Sequence, residues 1–427
     1  MSFQHIWEER PSTFLSGGTP METEDDARKA VEAKPDHFLG YSVSGAMVYV
    51  CEHDSIMVPI ESYKTCLYHS KRVVRCTLFE DKFSGDAGKS LFPGGLENGK
   101  GGQPWADWKR PGMGIYDRAG LRLFGKIEPN DLHQGSVGDC SLLASISALA
   151  EFPSSLQKLF VSARSGLLVE NGQYKIRLWD WGKRGWVDMD VDDRLPVRKG
   201  DVQVAFAKIT NDCEIYPMLL EKAVAIMVGG YDFCNSIMPT WALGVLTGCP
   251  SVFEFHLESG NWTGWSPDYD GTSTFKYTSS HVQKVWPDGT NGNVPKSCDA
   301  MWEALVAWDD ANYLMCCGAR ANGKSDRDDR NGILFLHAYS LIQVEKDVAG
   351  TGHDLLQLRN PHGRGGKEPD LPWKDGHENW SRYPEVREAL DWNEGSWKPD
   401  GLFWMSRNDF FEYFNTLYLV KCDMVRN

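Results

Sequence analysis

Past residue 134 the apolar positions fall into helical spacing. Leu142, Leu143, Ile146, Leu149 and Ala150 recur at steps of three and four, so the pattern predicts a helix opening near Cys140, with Asp139 as its N-cap. Residues 216–228 (YPMLLEKAVAIMV) read as a second, buried helix that Gly229 and Gly230 stop. Residues 174–179 and 186–191 alternate like strands. Further on, 332–342 is an apolar strand interrupted by one histidine, His337, and 354–360 is another strand. Residues 349–352 (AGTG) between them suit a hairpin turn. Aromatic and polar strand-like stretches dominate from about 250 onward. Helical text followed by β-rich text predicts an α+β fold, with a subdomain boundary near Gly248.

The first 80 residues read as a small separate unit. They hold an acidic helix candidate at 22–33 and a β-like run at 46–50. A glycine-rich connector follows at 92–102. It approaches a phosphate loop at Gly94, Gly99 and Lys100, but Gly101 stands where Ser or Thr must bind Mg²⁺, so it is read as a loop. The expected domains are therefore 1–80, 81–248 and 249–427.

Composition narrows the classes. The chain has 427 residues, 41% hydrophobic and 24% charged, which is ordinary for a globular protein. A formal net charge of −14 disfavours nucleic-acid binding, which needs basic patches. The N-terminus shows no apolar signal region, Ser2 excludes N-myristoylation, and no segment reaches the ~20 apolar residues of a membrane span. Eleven scattered cysteines without a signal peptide point to a reduced compartment, and Cys316-Cys317 is not a zinc spacing. A soluble, cytoplasmic protein is expected.

A cysteine at the first turn of a helix gains from free N–H groups and the helix dipole, which favour the thiolate. Free cysteines are nonetheless most often inert core residues, and a lone histidine in an apolar strand is most often a satisfied core residue. The hairpin changes the weighting. Folded about the peptide bond between Val348 and Ala349, it sets His337 opposite Asn360. Cysteine hydrolases need that pairing: Asn holds the imidazole, and His takes the thiol proton. Centring the turn on the glycines instead would shift the register.

The sequence resembles the protease core of the calpains, papain-like cysteine endopeptidases, over roughly 78 to 423. The family's Gln-Gly-x-x-Gly-Asp-Cys is Gln134 to Cys140 here. Its Gly-His-Ala-Tyr-Ser is Leu336-His337-Ala338-Tyr339-Ser340, with the first position changed, and its Arg-Asn-Pro-x-Gly is Arg359-Asn360-Pro361-His362-Gly363. Flanking stretches at 191–196 (VDDRLP), 219–223 (LLEKA) and 400–406 (DGLFWMS) follow in the family's order. The resemblance implies a two-subdomain core, helical half plus β-rich half, with a small extra N-terminal domain like the added modules of protozoan calpain-like proteins. It implies Cys140 as nucleophile, His337 as general base then acid, and Asn360 as orienter. The oxyanion donors would be the side-chain amide of Gln134 and the Cys140 N–H. Limited proteolysis of protein substrates follows, with residues 1–80 as a seat for a cytoskeletal partner. Transglutaminases share a Cys-His arrangement but use Asp where Asn360 stands.

Three departures bear on activity. Ser141 and His362 replace two tryptophans that wall the family's site, so a wider cleft and an exposed imidazole are expected, with altered specificity or weakened catalysis. A catalytically silent scaffold is the alternative. The family's two half-cores are drawn together by two Ca²⁺ ions. Asp131 and Glu214 match the carboxylate ligands of the first, and oxygen ligands suit Ca²⁺. The second is expected to be lost, since 363–366 (GRGG) lack its acid and Leu402 replaces a glutamate. Residues 326–332 fail the EF-hand pattern and read as an acidic loop. The residues between 260 and 295 read as an insertion bordering the cleft or the surface.

Overall fold

A computed structural model describes residues 6–15, 19–21, 29, 38–44, 47–52, 57–69, 105–112, 114–116, 121–163, 166–169, 172–198, 204–209, 213–235, 237–267, 269, 282–283, 294–319, 328–363 and 369–425. The glycine-rich connector and all but one residue of the acidic helix candidate lie outside them. Contacts divide the chain into Met1–Leu78 and Phe79–Asn427. In the first unit, five antiparallel strands form one sheet in the order Ile6–Leu15, Met57–His69, Phe38–Ser44, Met47–Glu52, Thr19–Met21.

In the second unit, short strands at Trp105–Pro111, Gly114–Ile115 and Leu132–His133 precede the helices. Cys140–Ala150 buries every side chain from Leu142 to Ala150, and Tyr216–Val228 buries every one from Tyr216 to Ala225. Burial on all sides makes both core helices rather than surface ones. Gly229, in the left-handed region at φ 94°, caps the second. A third helix, Pro239–Thr247, ends on left-handed Gly248. The two alternating runs pair as an antiparallel hairpin, Gln173–Asp180 with Gly185–Asp192.

An eight-stranded antiparallel sheet follows. Its order is Val282–Gln283, Asn261–Pro267, Val252–Glu258, Phe414–Val420, Leu314–Ala319, Ala338–Glu345, Leu355–Arg359, Leu402–Ser406. Successive side chains point to opposite faces. Val252, Leu314, Cys316, Ala338 and Val420 therefore join the core of the helices. Phe253, Met315, Cys317, Tyr339 and Leu419 join a second core with the helix Cys298–Asp310. The vicinal cysteines are thus split between two cores. Burial pushes the Cys316 thiol up to about 12 and Cys317 well above its usual range.

The run at 332–342 is not one strand. Ile333–Leu334 pairs back with Asp329–Arg330, and the main strand starts at Ala338. The break falls at Leu336, whose φ of 50° is left-handed. The hairpin register also differs from the sequence reading. Glu345 faces Leu355, and after a bulge between Leu341 and Gln343, Ser340 faces Arg359. The turn centres on Gly350, with Asp347 and Ala349 in the left-handed region, so the pairing is shifted by three residues beside the turn and, past the bulge, by two at Ser340 and Arg359. Past the bulge the even slip keeps side chains on the faces the sequence reading gave them, whereas an odd slip reverses them.

Candidate active site

The segment from Leu132 to Cys140 is held from both sides. Leu132–His133 pairs with Lys208–Ile209. Gly135 lies against the Phe206 backbone so closely that a Cβ would meet its carbonyl oxygen at 2.1 Å, so only glycine fits. Gln134 N–H donates to Pro361 O at 2.8 Å, which ties the segment to the residue after Asn360. Ser340 Oγ donates to Ala144 O at 2.7 Å, fastening the Cys140 helix to the strand that follows His337. The Arg359 guanidinium, fully buried, donates from Nη2 to Leu132 O. Burial brings Arg359 down to about 10, while Asp400, Tyr216 and Asp131 act in the opposite sense.

The three groups named from the sequence converge in part. His337 Nε2 lies 2.9 Å from Asn360 Oδ1. The same oxygen accepts the His362 backbone N–H at 3.0 Å. A main-chain N–H can only donate, so the atom it meets is the amide oxygen. His337 Nε2 must then be the protonated nitrogen, which leaves Nδ1 with its lone pair. The Ala338 N–H, one residue from His337, acts on the Cys140 thiol in the direction that favours the thiolate. No hydrogen bond joins Cys140 to His337 among the described residues. Gln134 Nε2 gives one hydrogen to Val137 O at 2.8 Å, which leaves its second N–H for another acceptor.

His362 corrects the expectation of an exposed imidazole. Its ring stacks on His337 with centroids 4.7 Å apart and planes at 12°, and His337 is only 5% exposed. The smaller ring therefore covers the base. Burial, helped by His362 and opposed by the Asn360 hydrogen bond, drives the His337 pKa down to about 3. Cys140 is partly exposed as a residue, yet burial is the largest influence on its thiol and raises it. The Ala338 N–H opposes the rise, and Asp139 adds to it. Burial thus favours the neutral form of both the thiol and the imidazole.

Asp139 occupies the N-cap position but makes no side-chain cap. Its carboxyl turns inward to Glu221 of the helix Tyr216–Val228, and both are buried. Neither Asp139 oxygen meets a hydrogen-bond donor among the described residues, and two buried carboxyls side by side favour keeping a proton. Burial accordingly raises both, Asp139 to about 7 and Glu221 well above its usual range. Glu221 also accepts the Ala207 N–H at 3.0 Å. Its neighbour Lys222 meets Asp192 Oδ1 at 2.5 Å, beneath Trp108 at 4.8 Å from its ring. Asp193 takes Arg110 Nε at 2.8 Å. The adjacent acids at 192 and 193 thus stitch the hairpin to two other elements. Sequence reading used 191–196 and 219–223 only as matching text; a buried acid beside a buried base on a core helix was the available signal.

Asp131 and Glu214 are both buried and both act on Tyr216, whose phenol burial raises further. Asp131 Oδ2 accepts Glu128 N–H at 2.7 Å and Tyr216 O–H at 2.9 Å. No group of three or more acidic, His or Cys side chains suited to a metal occurs among the described residues. Two carboxylates match the hard-oxygen chemistry of Ca²⁺, with main-chain carbonyls needed to complete a shell. The second location does not fit. Asp400 Oδ1 accepts Leu402 N–H at 3.0 Å, and its Oδ2 accepts Asn130 Nδ2 at 2.8 Å. Leu402 itself brings no oxygen from its side chain, and 364–366 lie outside the described residues.

A family model described as calpain family cysteine protease matches residues 79–421. The chain belongs to the calpain family. Calpain clp-4 of Caenorhabditis elegans is 28% identical over 315 residues, covering 73% of this chain and 37% of the relative. The calpain-2 catalytic subunit of Bos taurus is 28% identical over 318 residues, covering 73% and 38%. Calpain-5 of Mus musculus is 26% identical over 366 residues, covering 82% and 50%. The chain therefore aligns with half or less of each of these calpains, and the match is to their protease core, mixed in helix and strand. No helix among the described residues is long and apolar enough to cross a membrane.

Proposed function

We propose that this calpain-family chain is a cysteine endopeptidase that cuts protein substrates through a thioester acyl-enzyme. Cys140 is the nucleophile, His337 the base and then the acid, and Asn360 the orienter. Gln134 and the Cys140 N–H bind the oxyanion. The helical and sheet-rich parts act as two papain-like lobes, in a cytoplasmic protein whose residues 1–80 carry a cytoskeletal partner. The observation that carries the reading is the pattern at Asn360 Oδ1, which leaves the His337 Nδ1 lone pair as the base. Because burial favours both neutral forms, the proton crosses from Sγ to Nδ1 as sulfur attacks, rather than resting there beforehand. His337 then protonates the leaving amine and later deprotonates the water that cleaves the thioester. Iodoacetamide should label Cys140, and Cys140→Ala should abolish cleavage of a casein-type substrate. Equal silence of wild type and Cys140→Ala over a range of pH and Ca²⁺ sinks the reading.

The same burial supports a second reading, a binding protein that keeps the fold with weakened chemistry. A stable partner whose capture is indifferent to Cys140→Ala favours it. Asp131 and Glu214 are the side-chain ligands we assign to one Ca²⁺, whose bound charge would balance two buried carboxylates. Calorimetry should show Ca²⁺ heat in the wild type that Asp131→Asn removes; unchanged heat in the variant refutes the assignment.

A further inference from the structure

Away from the candidate site, two cysteines meet where the helices give way to the sheet. Cys249 follows the left-handed Gly248 that ends Pro239–Thr247, and its N–H donates to Thr247 Oγ1 at 3.2 Å. Its sulfur lies 3.4 Å from Lys421 O, the carbonyl just before Cys422. The strands Val252–Glu258 and Phe414–Val420 set this approach. Val252 faces Val420, and Lys421 N–H extends the ladder to Ser251 O at 2.9 Å. The ladder and the Lys421 O contact thus bring Cys249 and Cys422 to the same end of the sheet, and both residues are partly exposed. By contrast, Cys316 and Cys317 are buried on opposite faces.

We propose that Cys249 and Cys422 form a reversible disulfide, a thiol switch oxidised by hydrogen peroxide with Cys249 reacting first. The Cys249 thiolate attacks one peroxide oxygen, an S–O bond forms, the O–O bond breaks, and the departing hydroxide takes a proton to become water. The Cys422 sulfur, giving up its proton, attacks the sulfenic sulfur. The S–S bond forms, the S–O bond breaks, and a second water leaves. Two thiols lose two electrons and one peroxide becomes two waters. The order of attack has a physical basis: the hydrogen bond from Cys422, against the opposing effect of burial, draws Cys249 down to about 7.

The bridge would act on the segment that straps the sheet back to the helices. Just beyond Cys422, Met424 is buried in the helical core, its N–H donates to Asn312 O at 3.1 Å, and its carbonyl accepts Ser155 Oγ at 2.8 Å. Oxidation pins that strap to the end of Pro239–Thr247.

The test is covalent, so it stands or falls separately from the peptidase reading. The full chain carrying Cys140→Ala is treated with hydrogen peroxide, its free thiols are alkylated, and it is digested without reductant. A linked peptide pair containing Cys249 and Cys422 is expected. The intact chain should be lighter by about 2 Da, reversed by dithiothreitol. In Cys422→Ser the sulfenic acid on Cys249 should persist and be trapped by dimedone. In Cys249→Ser, oxidation at Cys422 should slow by about tenfold or more. Alkylation of both residues after peroxide, or bridges joining other cysteines in place of this one, overturns the proposal.

Discussion

The two sides of the candidate site rest on different foundations. Behind Cys140 lie titratable groups: the buried acid pair Asp139 and Glu221, then Lys222 with Asp192, then Asp193 with Arg110. Behind His337 lie rings. Tyr339 stands edge-on to His337 at 5.0 Å and edge-on to Phe414 at 5.2 Å and to Phe403 at 6.2 Å. Both arrangements hold a reactive group in one place. Buried charge does so through obligatory partners, so removing one partner is severe and the region responds to pH. Aromatic packing does so through area and ring geometry, with no titrating partner to lose.

The sharpest way to break the comparison is Asp192→Ala, which strands the Lys222 ammonium in a buried site. A loss of about 3–5 kcal/mol in urea unfolding is expected. A cost near ~0.5 kcal/mol, the level of a surface substitution, would mean the charged foundation is ornamental.

pH separates the two sides next. Asp139 and Glu221 titrate above their unfolded values, so the folded chain holds the proton more tightly. Their contribution is full in acid and lost as pH rises toward about 7. His337 titrates below its unfolded value, so its neutral form costs stability as pH falls from the ordinary imidazole range to about 3. The two oppose each other between. In Glu221→Gln an uncharged amide stands beside Asp139 without the paired titration. Its stability should climb more steeply than wild type's from about pH 4.5 to 7.5. Parallel curves would refute a paired titration.

A smaller effect tests the aromatic side. His362→Ala uncovers His337 and removes a like-charged neighbour, so the His337 pKa should rise toward the usual imidazole range, read by NMR titration. An unmoved resonance would show that Tyr339 and the sheet, not the stacked ring, do the covering. Smallest of all is Leu336→Gly. Leu336 sits at φ 50° with its side chain 55% exposed, so glycine relieves strain at little loss of packing. A gain of about 0.5–1 kcal/mol is expected in thermal unfolding, net of the extra freedom of unfolded glycine. That φ also gives a physical reason for glycine at the first position of the family's Gly-His-Ala-Tyr-Ser.

Much of this was legible in the chain because it is local. Helices at 140 and 216 follow from apolar spacing, and the hairpin at 173–192 follows from alternation. Ladder register was less legible. The sequence reading centred the turn on the bond between Val348 and Ala349 rather than on Gly350, because it could not see Ala349 in the left-handed region or the bulge after Leu341. Asn360 and His337 still meet, because a two-residue slip keeps each on its face. Asp139 read as a helix cap because its nearest sequence neighbours are helix N–H groups, while Glu221, some eighty positions on, is its true neighbour.

By itself the sequence determined which residues are apolar, where the chain turns, and in what order the chemistry-bearing side chains come; these depend on covalent neighbours alone. Only the tertiary structure decided how those side chains ionise. Desolvation and distant carboxyls, thiols and rings set whether Cys140 and His337 rest neutral, whether Asp139 keeps a proton, and which cysteines can reach each other. A pKa is a property of the volume around a group, and that volume is filled by parts of the chain far away in sequence.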